Sequence, residues 1–264
     1  MNLQLNNKTA LITGSTAGIG YATAKQMLLE GANVIINGRT KERVDAAISS
    51  LQKENITGKV SGVAADFSKV EDVNALIAEI PAVDILINNV SIFGPVPFEK
   101  ITDEEWLKLF EINVLSGIRL SRHYFPLMLK QNWGRIIFIS SESAINIPEE
   151  MIHYGMTKTA QLAISRGLAE LTKKTNVTVN SVLPGPTKSE GVTNFVNDLA
   201  ESKGKTSAEM EEEFFKTIRP TSIIQRFTSV DEIAQMITFL ASPLSSATNG
   251  ASIRVDGGLL KTII

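Results

Sequence analysis

Short apolar runs alternate with longer amphipathic stretches along the chain. Thr9-Ala-Leu-Ile-Thr13 has the continuous apolar character of a strand buried on both faces, and it runs into Gly14 and a helical stretch over residues 18–30. The unit then recurs. Asn33-Val-Ile-Ile-Asn37 precedes a helix over 41–54, residues 60–65 precede one over 70–79, and Asp84-Ile-Leu-Ile-Asn88 precedes a long one over 103–130. Arg135-Ile-Ile-Phe-Ile-Ser140 reads as a fifth strand, followed by a helix over 151–173, a sixth strand over 177–183, a helix over 230–240 and a short strand over 251–255. Strands alternating with helices across short connections imply parallel pairing, right-handed crossovers and helices on both faces. The expected fold class is therefore α/β, a doubly wound parallel sheet of about seven strands in a single domain over 1–264, with ligands at the carboxyl ends of the strands.

One segment breaks this rhythm. About forty residues, 184–229, separate the sixth strand from the helix at 230, far more than an ordinary connection needs. Within it Met210, Phe214, Phe215 and Ile218 repeat near helical spacing, with Glu209, Glu211, Glu212 and Glu213 as a polar face. The stretch over about 188–228 is read as a substrate lid; the acidic run is read as its solvated surface.

Composition narrows the chemistry. With 26 Lys and Arg against 28 Asp and Glu, the net charge of −2 offers no basic excess for a nucleic-acid backbone. No cysteine occurs, which removes disulfides, thiolate catalysis and Cys-ligated metals. The only histidines, His123 and His153, begin no metal-binding pattern, and no metal is expected. The start of the chain lacks the features of a signal peptide and no apolar run is long enough to span a bilayer, so a cytoplasmic protein without membrane partners is expected.

The turn after the first strand, Thr13-Gly14-Ser15-Thr16-Ala17-Gly18-Ile19-Gly20, is built to receive an anion. Its glycines allow a sharp exit and close approach of backbone to a ligand, and the following helix presents free N–H groups suited to a dinucleotide pyrophosphate. No Lys-Ser/Thr follows, so this is not a triphosphate-binding loop. The second strand ends in Asn37-Gly-Arg39-Thr, with no carboxylate for a ribose 2′-hydroxyl. Arg39, with Arg43 one turn on, offers a fork for a 2′-phosphate or is a surface arginine, so NADP (NADPH) is favoured and NAD stays open. Asp66, followed by Phe67, either accepts from an adenine amino group or caps the turn at Ser68.

The second cluster is Tyr154-Gly-Met-Thr-Lys158. Spacing of i, i+4 on a helix sets phenol and ammonium on one face, where the positive charge is expected to lower the phenol pKa. Ser141, at the end of the fifth strand, either donates to a substrate carbonyl oxygen or caps a turn. No Gly-x-Ser-x-Gly elbow surrounds it, which argues against a serine nucleophile. His153 points away from Tyr154 along a helix and is read as pocket wall or surface.

Taken together these residues resemble the short-chain dehydrogenase/reductase family over nearly the whole chain. The glycine turn is similar to its cofactor turn, Asp66 to its adenine contact, Asn88-Asn89 to its motif after the fourth strand, and Ser141, Tyr154 and Lys158 to its catalytic set. Asn113 matches the family asparagine that helps hold a water near the lysine. Pro184-Gly185-Pro-Thr187-Lys-Ser189 resembles the segment that meets the nicotinamide carboxamide. One departure is visible: Asn88-Asn-Val90-Ser91 stands where the family has Asn-Asn-Ala-Gly, with larger residues near the expected nicotinamide ribose.

The resemblance implies a Rossmann fold and hydride transfer between nicotinamide and a small-molecule carbonyl or secondary alcohol. Ser141 would orient the oxygen, Tyr154 would act as general acid or base, Lys158 would tune it and hold the ribose, and Asn113 would complete a proton relay. A catalytically weak NADP-binding sensor is the rival reading. Phe93, Ile145, Ile147, Phe195, Phe214 and Phe215 are candidates for an apolar substrate pocket, and Arg219 and Arg226 for contact with an anionic tail. Ketoacyl thioesters, cyclic ketones, steroids and sugars all stay open as substrates. The family further implies a homotetramer or homodimer built on the helices at 103–130 and 151–173, with the apolar end 259–264 against a neighbour.

Overall fold

The computed structural model describes residues 2–263, excepting the side chains of residues 194, 195, 198, 199 and 202. Seven strands, β1 (Thr9–Ile12), β2 (Asn33–Gly38), β3 (Val60–Ala64), β4 (Ile85–Asn88), β5 (Gly134–Ile139), β6 (Val177–Pro184) and β7 (Ser252–Val255), form one sheet in the order β3-β2-β1-β4-β5-β6-β7. All six pairings are parallel.

The period-2 geometry of the strands divides their apolar residues between two cores. Ala10 and Ile12 of β1, Ile85 and Ile87 of β4 and Ile137 and Ile139 of β5 face one layer of helices. That layer is made of α1 (Gly18–Leu29), α2 (Lys41–Leu51) and α9 (Val230–Ala241), which contribute Met27, Leu28, Val44, Leu51, Ile233 and Ile237. Leu11, Leu86, Ile136 and Phe138 face the other side, against Val73 and Leu76 of α3 (Val70–Glu79), Leu120, Tyr124 and Met128 of α5 (Ser116–Gln131), and Ala169 of α6 (Ile152–Glu170). The central strands β1, β4 and β5 are thus apolar on both faces, which is why their sequences read as unbroken runs.

Two elements depart from expectation. The helix expected over 103–130 is three pieces: α4 (Asp103–Phe110), a π-helical turn at Glu111–Leu115, and α5. The interruption accompanies Asn113, whose side chain brackets Ile92, accepting from its N–H at 2.8 Å and donating to its carbonyl at 2.9 Å. The long connection after β6 holds two helices, α7 (Glu190–Ser202) and α8 (Ser207–Thr217), where sequence periodicity pointed only to the second. A capping box at Thr206 and Glu209 starts α8, and Phe214, Phe215 and Phe227 pack together with ring centroids 5.1 Å apart. Of the apolar stripe expected there, Met210 and Phe215 are buried and Ile218 is exposed.

At the end of the chain Leu259 and Leu260 are buried within the same chain, so they are not free to cover a neighbour; Ile263 is exposed and Ile264 lies outside the described residues. No helix among the described residues is long and apolar enough to cross a membrane.

Candidate active site

The carboxyl ends of β1, β4, β5 and β6 converge at the point where the strand order reverses between β1 and β4. The turn after β1 is fixed by buried polar groups. Ser15 Oγ donates to the Ile12 carbonyl at 2.6 Å and accepts from the Asn37 N–H at 2.9 Å, and Asn37 Oδ1 accepts from the Gly14 N–H at 3.1 Å. Asn37 is therefore spent on holding β1, β2 and β3 together, its Nδ2 reaching the Val63 carbonyl. Asn89 clamps the same turn from β4, donating to the carbonyls of Thr13 at 2.9 Å and Gly14 at 3.0 Å. Gly14 has φ +60°, a left-handed backbone that favours glycine. A side chain at Gly20 would place its Cβ 2.5 Å from the Gly14 carbonyl oxygen.

This turn opens onto a cavity of about 760 Å³. Gly14 and Thr16 line it at one side, Gly38 and Arg39 at the end of β2, Arg43 in the first turn of α2, and Asp66, Phe67 and Ser68 after β3. Both arginines are exposed. Asp66 caps its own turn, accepting from Ser68 N at 3.0 Å and Ser68 Oγ at 2.8 Å through one oxygen. The Ser68 backbone N–H leads in holding its carboxyl below the usual range, so it stays an acceptor. The groups fit an adenosine phosphate: a glycine turn at a helix N-terminus, exposed guanidinium groups, and a carboxylate at the far wall.

A second cavity of about 380 Å³ lies beside it, lined by Ser141, Tyr154 and Lys158 and by Ile19, Pro184, Gly185, Thr187 and Ser189. Asn89, Ser91 and Phe93 line both cavities, which makes them neighbours. Thr187 is held by the Gly185 carbonyl and Thr228, each at 2.9 Å, and Ser189 accepts from the Val192 N–H at the start of α7. Ser141 Oγ accepts from the Ser143 N–H at 3.1 Å, so the hydroxyl caps a turn and still has its proton to donate.

The helical spacing of Tyr154 and Lys158 brings them together as expected, with Lys158 Nζ 5.5 Å from the phenol ring centroid. The electrostatic expectation is overturned. Burial pushes the phenol up to about 12, against a smaller downward pull from Ser141, and pushes the ammonium down to about 7. Desolvation leads in both shifts because both groups have left water, and the neighbouring Glu142 charge adds to the rise of the phenol. Lys158 Nζ donates to the Ile139 carbonyl at 2.9 Å, and Gln161 Oε1 stands 3.5 Å from it.

Several expected residues stand elsewhere. The Asn88 side chain turns away from both cavities, donating to Ser121 Oγ on α5, and Asn89 takes the position against the glycine turn. Gly18 and Gly20 shape the turn without lining either cavity, as does Ser15. The Asn113 side chain is committed to Ile92 and to Thr157 Oγ1, and the Asn113 main-chain carbonyl accepts from Gln161 Nε2 at 2.6 Å. His153 is buried with its ring edge against Trp106 and lines the larger cavity; burial lowers its pKa.

Of the apolar candidates, Phe93 and Phe214 line the smaller cavity. Ile145 and Ile147 are partly exposed and line neither cavity, Phe215 is buried inside the α8 cluster, and the Phe195 side chain lies outside the described residues. Neither arginine offers a free charge to an anionic tail. Arg219 is buried and paired with Glu142 at 3.1 Å, and Arg226 forms a bidentate pair with Glu232 at 2.8 and 2.9 Å. Sequence reasoning missed Glu142 as a cavity residue because a carboxylate after Ser141 reads as surface until its partner, 77 residues away, is in place.

A glycine-turn cleft abutting a Ser-Tyr-Lys cavity at the switch point of a doubly wound sheet defines an oxidoreductase that uses a nicotinamide dinucleotide. The chain belongs to the short-chain dehydrogenase family, whose model matches residues 8–200. It is an oxidoreductase of CH–OH and C=O groups. It is 50% identical over 263 residues to the uncharacterized oxidoreductase YvaG of Bacillus subtilis, with each chain fully covered. It is 32% identical to human dehydrogenase/reductase SDR family member 4, covering 96% of this chain and 88% of that protein. Its fold is similar to L-sorbose reductase of Gluconobacter frateurii complexed with NADPH and L-sorbose, at a TM-score of 0.93, 30% identity and full coverage of both chains.

Proposed function

We propose that the chain is an NADPH-dependent reductase of a small-molecule ketone or aldehyde, with Tyr154 as the general acid. The observation that carries this reading is the adjacency of the two cavities through Asn89, Ser91 and Phe93, one with the glycine turn and Arg39, the other with Ser141, Tyr154 and Lys158. When bound, the nicotinamide supplies the hydride. Ser141 Oγ accepts from the Ser143 N–H, which leaves its O–H to donate to the carbonyl oxygen. Tyr154 gives its proton to that oxygen as negative charge develops. A phenol pushed up to about 12 stays protonated at neutral pH, which is the form that reduction requires. Lys158 shares the buried end of the cavity and carries a proton that it exchanges near pH 7.

Arg39 and Arg43 support NADPH over NADH, because each offers a guanidinium to a 2′-phosphate and Asn37, the residue ending the strand core, is buried rather than acidic. The sorbose reductase complex, which holds NADPH, supports the same choice. The reading extends to a homodimer or homotetramer, with the outer faces of α5 and α6 meeting across a two-fold axis. Oxidation of NADPH and of NADH, followed by absorbance over a panel of ketones and aldehydes, tests the function. Turnover with NADPH that falls about tenfold or more in Arg39→Ala, while turnover with NADH holds, is the expected result. No turnover of any carbonyl compound with either cofactor overturns it.

A further inference from the structure

Two buried charges of opposite sign stand in the wall of the smaller cavity, beside Ser141 and Tyr154. Glu142 directly follows Ser141 and is 3% exposed; Arg219, just beyond α8, is 8% exposed, and both line that cavity. Arg219 Nε donates to Glu142 Oε1 at 3.1 Å, and its Nη1 donates to the Ile218 carbonyl at 3.1 Å and lies 3.8 Å from Glu150 Oε1. The guanidinium also sits 5.9 Å from the Phe214 ring centroid. The arginine is thus tied to Glu142 through Nε and to the main chain through Nη1, while the second glutamate oxygen, Oε2, is buried with no hydrogen-bond partner.

An ion pair taken out of water is costly, and a buried carboxylate oxygen without a donor adds to that cost. Apolar residues would line the same wall more cheaply, as Phe93, Met151, Val192 and Val196 do elsewhere around the cavity. The donor that Oε2 lacks can come from an occupant of the cavity. Arg219 fixes the carboxylate and cancels its charge, so the wall accepts a hydrogen bond without attracting ions. A carboxylate in the same place would bring no proton to donate and would set two acceptor oxygens against each other.

We propose that Glu142, held by Arg219, is a specificity residue that accepts a hydrogen bond from a substrate hydroxyl, so that the preferred substrates are neutral hydroxyketones with the hydroxyl close to the reacting carbonyl. The proposal rests on the carbonyl-reductase reading above and narrows its substrate class. Glu142 accepts no proton in the reaction; it orients the substrate whose carbonyl Ser141 and Tyr154 meet.

Small methyl ketones that differ in the group beside the carbonyl test this. Hydroxyacetone, 2-butanone, aminoacetone and pyruvate are compared by NADPH oxidation with the wild type and with the double variant Glu142→Leu/Arg219→Met, which removes both charges together. Circular dichroism and thermal melting establish that the variant is folded. Because hydroxyacetone is intrinsically more reactive than butanone, the readout is the change in their kcat/KM ratio between the two proteins. The expected result is a ratio that falls by about tenfold or more in the variant, with pyruvate and aminoacetone poor substrates of the wild type. If the variant does not fold, the wild type decides alone: pyruvate or aminoacetone matching hydroxyacetone overturns the proposal. Butanone turnover with an unchanged ratio in a folded variant overturns the proposal and leaves the reductase reading intact. Absence of turnover with all four compounds and with a wider aldehyde panel removes both.

Discussion

Gln161 donates from Nε2 to the main-chain carbonyl of Asn113 at 2.6 Å, while its Oε1 stands 3.5 Å from Lys158 Nζ. One amide side chain thus ties the π-helical turn before α5 to the lysine on α6, with all three residues buried. Replacing it with Leu keeps much of the volume and leaves a buried carbonyl and the ammonium each short of a partner. Gln161→Leu is expected to lower stability by about 1–3 kcal/mol, read from urea denaturation at neutral pH. A variant as stable as the wild type would mean that water replaces the amide at no cost.

Tyr154→Phe removes only the phenolic oxygen. The ring contact with Phe93, at 5.9 Å between centroids, and the α6 packing are retained. Affinity for NADPH, measured by fluorescence, is expected to stay within about twofold, while kcat falls by about 10²–10⁴, the scale of a lost general acid. Turnover near the wild-type rate would remove Tyr154 from the chemistry.

Lys158 makes stability depend on pH in a predictable direction. Its ammonium is pushed down to about 7 in the folded chain from the ordinary 10.5, so between these values the unfolded chain binds the proton that the folded chain has released. Stability from this group therefore rises with pH across that window and is lowest below pH 7. Between about pH 7 and about pH 9 the wild type is expected to gain on the order of 2 kcal/mol relative to Lys158→Met, which has no such titration. Parallel stability profiles of the two proteins would mean that the lysine keeps its proton in the folded state.

The strands were legible because burial on both faces leaves an uninterrupted apolar signature, as in Ala10-Leu11-Ile12, whose successive side chains enter different cores. The site motifs were legible because each is local: the glycine turn within eight residues, Tyr154 and Lys158 within one helical turn. What escaped depends on partners distant in the chain. The Glu142–Arg219 pair joins residues 77 apart, and the turn of Asn88 toward α5, with Asn89 against the glycines, follows from how β4 meets two helices. The break at Asn113 lies in a sequence that carries helical periodicity, and only its bond to Ile92 marks it. The phenol pKa was misjudged for a related reason: spacing gives the distance between phenol and ammonium, whereas the burial that leads the shift is a property of the whole fold.

The glycine turn offers the most geometric of the tests. A methyl group at Gly20 would lie 2.5 Å from the Gly14 carbonyl oxygen and 2.6 Å from Asn89 Nδ2, distances that no relaxed contact permits. Asn89 would have to withdraw from the Thr13 and Gly14 carbonyls, and the turn would lose the clamp that shapes it for a phosphate. Gly20→Ala is therefore expected to weaken NADPH binding by about tenfold or more and to lower stability by about 1–3 kcal/mol, even though alanine is the better helix former at an α1 position. Isothermal titration with NADPH and thermal melting of the same preparation measure the two effects. Binding at wild-type strength would show that the turn tolerates displacement of Asn89, and would separate the clamp from the affinity it is held to create.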